Sequence, residues 1–378
     1  MDRDAGRPET DEITPVVRRL VLFAHGFDPR GPAPYHALMH QDAAPGSWEV
    51  GPRRGRRWTL GADWPEGRAE TRFDLLAWDD LVRTHWVRGR PDRWLLPYRF
   101  LQVYVRAGVV SEAIRSNRPL FLAMILPATL GLTHVLMVVA LAAIGMTMAL
   151  PVARTLGLDP WWGLVGMAAA SIAWPLARAF QRWIDLDWLS QCFDALARFR
   201  QMPADREARL DDLARRIVEA TLEDRDQDVI VVGHSIGSIM AAGAVGRALA
   251  IDPSIAPRLT LLTIGQCLSI YQRLGGDANW AADLASLVQS GLKWIDVTSP
   301  IDGASSGRWP VLRFSAHEGL TGRVDARSPR FHESLSPERM SRLRRDPRSL
   351  HFQYLRLSDR PEIYDIRRLV AGPPDARP

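Results

Sequence analysis

Lysine is almost missing from this chain. Lys293 is the only one, and the rest of the basic side is arginine, within a formal net charge of +5 over 378 residues. There is no interleaving of aromatic and basic residues and no known nucleic-acid motif, so no nucleic-acid partner is expected. Arginine-favouring codon usage is the plain explanation of the bias, and attraction to acidic lipid headgroups is the functional one. Cysteine is scarce as well. Cys192 and Cys267 are the only two, which excludes a disulfide framework and suits a reducing compartment. No His-Glu-x-x-His and no ligand-spaced histidine cluster is present, so neither metal nor cofactor is expected. A secretory signal is lacking too. Met1 to Thr14 is polar and acidic and reads as a short disordered tail.

Charge itself is absent from two long stretches. Pro119 to Ala153 contains no ionised side chain, and neither does Pro160 to Ala177, which opens on Trp161-Trp162. Each approaches or exceeds the roughly 20 residues that span a bilayer. The pattern predicts two transmembrane helices, about 120–150 and 161–180, within an insertion covering 96–205. Arg88, Arg90, Arg93, Arg99, Arg106, Arg115 and Arg118 precede the pair, and Arg178, Arg182, Arg198 and Arg200 follow it. The loop between holds only Arg154. Arginine-rich flanks stay on the cytoplasmic side, so the expected location is the cytoplasmic (inner) membrane, with both soluble parts facing the cytoplasm. The alternative is a buried hairpin or a lid in a soluble protein.

What is present is led by Gly233-His234-Ser235-Ile236-Gly237, which fits Gly-x-Ser-x-Gly, the turn that presents a nucleophilic serine. Asp228 to Val232 runs into it as a short buried strand, and Ser238 to Val245 leaves it as a helix of small residues. The turn strains the serine backbone, so Gly233 and Gly237 are needed where bulk is not tolerated. His234 is expected to pack against the turn. The bland reading is a glycine-rich strand–helix turn with an inert serine.

The remaining soluble sequence, 15–95 and 206–365, alternates strand and helix. Strands are expected at Val17–Ala24, Arg72–Trp78, Val229–Val232, Leu259–Ile264 and Lys293–Val297, with helices at Arg206–Leu222 and Asn279–Leu292. This predicts an α/β fold with a mostly parallel sheet covered by helices on both faces. Residues 323–348 read as surface loops with a short helix near 337–344, and 366–378 as a tail.

A serine hydroxyl needs a base to take its proton, and the base needs a carboxylate to orient and balance it. Asp302, in the loop after the Lys293–Val297 strand, is favoured as that carboxylate. Asp296, inside the strand, is the alternative. Among downstream histidines, His351 in Leu350-His351-Phe352 is favoured over His332 and His317. The oxyanion requires two backbone donors. Ile236, after the serine, offers one, and Phe27 or Gly26, in the turn Ala24-His25-Gly26-Phe27, the other. His25 is expected to shape that turn.

In these residues and in their order, the chain resembles the α/β-hydrolase superfamily over about 15–90 and 206–360. The resemblance implies esterase, lipase, thioesterase or amidase chemistry through an acyl-enzyme. It also implies two further strands ahead of Val17, for which the sequence has no room, and a cap placed after the elbow, whereas the apolar insertion here precedes it. The expected function is therefore a membrane-anchored serine hydrolase acting on a small-molecule or lipid acyl ester, in contact with the lipid bilayer. The alternative is a membrane protein whose hydrolase-like domain serves binding or assembly.

Overall fold

In a computed structural model of the chain, residues 16–41, 48–87, 90–157, 186–199, 203–277 and 279–372 are described. The expected N-terminal tail lies outside them, as does the second expected apolar helix, 161–180.

Strand β1 (Val16–Ala24) runs through the middle of the molecule. Leu20 to Ala24 are all buried. Leu20 and Leu22 face one apolar cluster, and Val21 and Phe23 face another, as expected of a strand covered on both sides. Around it lie β2 (Glu49–Val50), β3 (Arg57–Trp64), β4 (Gly67–Leu75), β5 (Gln227–His234), β6 (Leu259–Ile264), β7 (Lys293–Val297) and β8 (Asp325–Arg327). They form one sheet in the order β2-β3-β4-β1-β5-β6-β7-β8. From β4 through β8 every neighbouring pair is parallel, and only β2–β3 and β3–β4 are antiparallel. The α/β fold with a mostly parallel sheet is therefore present.

The sequence reading missed one end of the sheet. Residues 49–64 supply β2 and β3, so the sheet reaches eight strands although little chain precedes β1. The strand expected at Arg72–Trp78 begins at Gly67 and stops at Leu75. A tight turn, with Gly67 at φ 136°, folds β3 back onto β4. β3 alternates exposed and buried side chains, burying Trp58, Leu60 and Ala62. Arg57, Thr59, Gly61 and Asp63 dilute that signal in the sequence.

The helices are α1 (Pro32–Gln41), α2 (Asp79–His85), α3 (Arg90–Arg106), α4 (Val109–Ser116), α5 (Arg118–Thr155), α6 (Leu186–Phe199), α7 (Pro203–Glu223), α8 (Gly237–Ile251), α9 (Leu268–Arg273), α10 (Trp280–Gln289), α11 (Phe331–Ser334), α12 (Pro337–Leu343), α13 (Pro347–Phe352) and α14 (Ile366–Ala371). The face carrying Leu20 and Leu22 packs on α7, α8 and α10, and also on the insertion. Phe100 and Tyr104 of α3 meet Phe193 of α6 at ring separations of 5.4 and 5.8 Å. The insertion is thus continuous with the core and not a separate unit. The opposite face packs on α1 and the C-terminal helices. There the expected tail is corrected: Ile366, Leu369, Val370 and Ala371 are buried as α14, and the Ala371 carbonyl accepts from Trp64 Nε1 at 2.7 Å.

Among the described residues, no helix is long and apolar enough to cross a membrane, so a two-helix hairpin is not part of the observed fold. Several side chains along α5 are outside that description. α5 is one helix of 38 residues. Leu120, Met124 and Ala128 fasten its first turns into the core. Beyond these turns Leu132, Leu136, Met137, Val139, Leu141, Ile144 and Met146 are exposed.

Candidate active site

The carboxyl ends of β1, β5 and β7 carry the expected residues. β5 ends at His234, and Ser235 follows with φ 58°, one of three non-glycine residues at positive φ among those described. Such a backbone costs about 1–3 kcal/mol and persists where its surroundings enforce it. Here the Ser235 N–H donates to the Ile264 carbonyl at 3.1 Å. The Ser235 carbonyl accepts from the Ser238 N–H at 3.0 Å and from its hydroxyl at 2.6 Å. The elbow glycines are required by contact. A Cβ on Gly237 would lie 2.2 Å from the His25 carbonyl oxygen, and one on Gly233 would lie 2.6 Å from Ser238 Cα. Gly26 is less tightly placed, but its Cβ would still stand 3.2 Å from Ser235 Cβ. The turn after β1 therefore lies directly against the serine.

Asp302 and His351 meet at 2.8 Å, Oδ2 to Nδ1, and both are fully enclosed. Their separation of 49 positions is spanned because the β7 loop and α13 converge at the same end of the sheet. Burial works to raise the Asp302 carboxyl. The His351 imidazole and the Ala304 N–H, which donates to Oδ1 at 3.0 Å, hold it below its ordinary value. The carboxylate is thus kept charged, which orients a neighbouring imidazole with its proton on Nδ1 and its lone pair on Nε2. Nε2 is buried and has no hydrogen-bond partner among the described residues. The Ser235 hydroxyl does not donate to it in this structure.

Asp296 is elsewhere. It pairs across the sheet with Thr263, and its carboxyl accepts from the Thr263 hydroxyl at 2.7 Å and the Thr298 hydroxyl at 3.1 Å. Burial pushes it up to about 7. His332 is exposed beside Glu333, and His317 precedes the turn at Glu318–Arg323. Neither is hydrogen-bonded to Asp302. His25 shapes its turn as expected. Nδ1 donates to the Gly26 carbonyl at 2.7 Å, the ring stacks on Trp78 at 5.2 Å, and burial lowers it to about 4.

The N–H groups of Ile236, at the start of α8, and of Phe27 have no acceptor among the described residues. They are the two donors expected for an oxyanion.

Two residues around this pair, Tyr354 and Trp188, were not read from the sequence, and a third, His234, was expected only to pack. Tyr354 donates its hydroxyl to Asp302 Oδ2 at 3.1 Å and accepts the Ser299 N–H at 2.9 Å. Its spacing of three from His351 on a helical turn was the available signal. His234 does more than pack, since its Nε2 donates to the His351 carbonyl at 3.1 Å and its ring lies 4.8 Å from the His351 ring. Trp188, at the start of α6, sets its ring 5.7 Å from that of His351, and no local pattern announces a contact from the insertion. Cys267 is also close by. Burial pushes its thiol up to about 12, Asp302 adds to the rise, and the Ser235 hydroxyl opposes it.

The insertion also reaches the acid loop. Asn117 Nδ2, between α4 and α5, donates to the Ser306 carbonyl at 2.7 Å, and Trp309 Nε1 donates to the Ser116 hydroxyl at 2.8 Å. A Cβ on Gly303 would lie 2.5 Å from the Pro119 carbonyl oxygen in the first turn of α5. Among the described residues no group of three His, Cys, Asp or Glu is placed to hold a metal. No family model, curated protein or solved structure matches the chain.

Proposed function

We propose that the chain is a serine hydrolase of α/β-hydrolase type that forms an acyl-enzyme on an ester substrate. The observation that carries this reading is the Asp302–His351 pair, with Nε2 of His351 left without a partner, at the end of the sheet where Ser235 is held at positive φ. In the reaction, Ser235 Oγ bonds to the acyl carbon while its proton passes to His351 Nε2. Asp302 stabilises the imidazolium, and the Ile236 and Phe27 N–H groups hold the developing oxyanion. The imidazolium proton then leaves with the alcohol. In deacylation water, or another acceptor, attacks as His351 takes its proton, and that proton returns to Ser235. The missing Ser235–His351 hydrogen bond is compatible with this, because such bonds commonly tighten only when substrate binds.

The second part of the proposal is attachment to a membrane, with the catalytic part on the cytoplasmic face. It is supported by the part of α5 beyond its core contacts, where Leu132, Leu136, Val139 and Ile144 are exposed and no charged side chain precedes Arg154.

One observation favours the alternative of a binding or assembly domain: Ser235 is only 4% exposed. Fluorophosphonate labelling of isolated membranes separates the two. Labelling of wild type but not of Ser235→Ala supports the hydrolase. Absence of labelling in folded wild-type protein supports the binding domain.

A further inference from the structure

Beside the triad lies a cavity of about 290 Å³, walled by Phe27, Trp86, Trp188, Gln191 and Arg348. Two of its walls belong to the catalytic arrangement. Phe27 carries the second oxyanion N–H, and the Trp188 ring lies against His351. A carbonyl seated between Ser235 and the Phe27 N–H would therefore direct one substituent into this space. The cavity's apolar surface is aromatic, and Asp28, Arg30, Asp187, Gln191 and Arg348 make the rest of the wall polar. The Phe27 and Trp86 rings stack at 5.6 Å. Three of the polar groups are engaged: the Gln191 amide bonds Val87 in both directions, and Arg30 clamps Asp28. The Arg348 guanidinium lies 5.9 Å from the Trp188 ring centre. A larger cavity of about 470 Å³, lined by Arg18 and Gln227, is at the amino ends of β1 and β5, the far end from Ser235.

We propose that the aromatic cavity is the acyl pocket of Ser235, that it takes a short aliphatic or single-ring acyl group, and that Trp188 sets that limit. The proposal rests on the serine-hydrolase reading and narrows it. At about 290 Å³ the space falls at the lower bound of small-molecule sites, roughly 300–1,000 Å³. Trp188 is itself buried and its ring lies against His351, so it walls the inner side of a space that is open to solvent elsewhere.

The test labels full-length protein in detergent with butyl- and dodecyl-fluorophosphonate, using wild type, Trp188→Phe, Trp188→Ala and Ser235→Ala. Wild type should react with the butyl probe about tenfold faster or more, the discrimination that a few methylenes impose at an apolar wall. Trp188→Ala should reduce that ratio to about threefold or less. Trp188→Phe should fall between the two, and it serves alone if the alanine variant does not fold. Equal rates in wild type, a preference for dodecyl, or a ratio unmoved by both Trp188 variants overturns the pocket assignment while leaving the nucleophile in place. If neither probe labels wild type, the nucleophile reading falls, and the cavity is then judged by binding alone. ¹⁹F line broadening of 4-fluorophenylacetate that weakens in Trp86→Ala supports an aromatic site, and no broadening overturns it.

Discussion

Asp296 and Asp302 are both buried, and their partners give them opposite chemistry. Asp302 faces an imidazole, a backbone N–H and the Tyr354 hydroxyl, all of which favour its charge. Asp296 has only two threonine hydroxyls, which do not offset burial. Asp302→Asn should lower kcat by about 10³–10⁴-fold, because the amide favours the wrong imidazole tautomer. Asp296→Asn should leave kcat within about threefold, the scale of a change that spares the reacting groups; an equal loss in the two variants would reverse the assignment. Asp296 also predicts a pH dependence of stability. Its folded value, about 7, lies above the unfolded value of about 3.9. The folded state therefore holds the proton more tightly, and stability falls as pH rises from about 4 to 7, then levels off. The difference in melting temperature between Asp296→Asn and wild type should widen over that interval and stay flat above it. Tyr354→Phe keeps the ring but removes a donor from Asp302. The carboxylate then keeps more charge for His351, and the acid limb of kcat/KM should move to higher pH. An unmoved limb would leave Tyr354 a packing residue. Ser235 and Asp302 could be singled out because one sits in a short marked turn after an apolar strand and the other in the loop after a strand, and His351 by its place in an apolar C-terminal segment. His234 and Trp188 make contacts across the fold that no local pattern encodes, and Tyr354 offered only its spacing of three from His351.

At the scale of elements, the elbow works because β5 and α8 come too close for a side chain at either flank. A Cβ on Gly237 would fall inside the contact distance of both the Ala24 and His25 carbonyl oxygens. Gly237→Ala should cost about 3 kcal/mol or more, since backbone is less able to move aside than a side chain. A urea midpoint within error of wild type would show that β1 can yield. Most strands were readable from apolar runs, and β6 and β7 fall on their expected residues. β3 was not, because a strand with one wet face alternates polar and apolar residues, and Arg57, Thr59, Gly61 and Asp63 read as loop. α14 was missed for a related reason. Two arginines, Arg367 and Arg368, sit among its four buried apolar residues, and their pairing with Asp365 and Glu66 emerges only in the fold.

Over the whole molecule, the insertion and the sheet share one core, so α5 and the candidate site are mechanically joined. If α5 is a membrane anchor, the protein should stay in the pellet after alkaline carbonate extraction; release to the supernatant would remove the anchor reading. The join itself is narrow. Asn117 and Ser116 fasten the foot of α5 to Ser306 and Trp309, and the Pro119 carbonyl lies against Gly303, next to Asp302. Asn117→Ala should cost about 1–3 kcal/mol through the unpaired Ser306 carbonyl, readable as a lowered urea midpoint. The same wedge makes α5 a lever with a short inner arm and a long outer one. If α5 is held in lipid and Ser235 is the nucleophile proposed above, a tilt of the helix imposed by bilayer thickness would turn about this fulcrum and carry the Asp302 loop with it, and reconstitution into thin and thick bilayers would then give two different pH–rate profiles from one sequence.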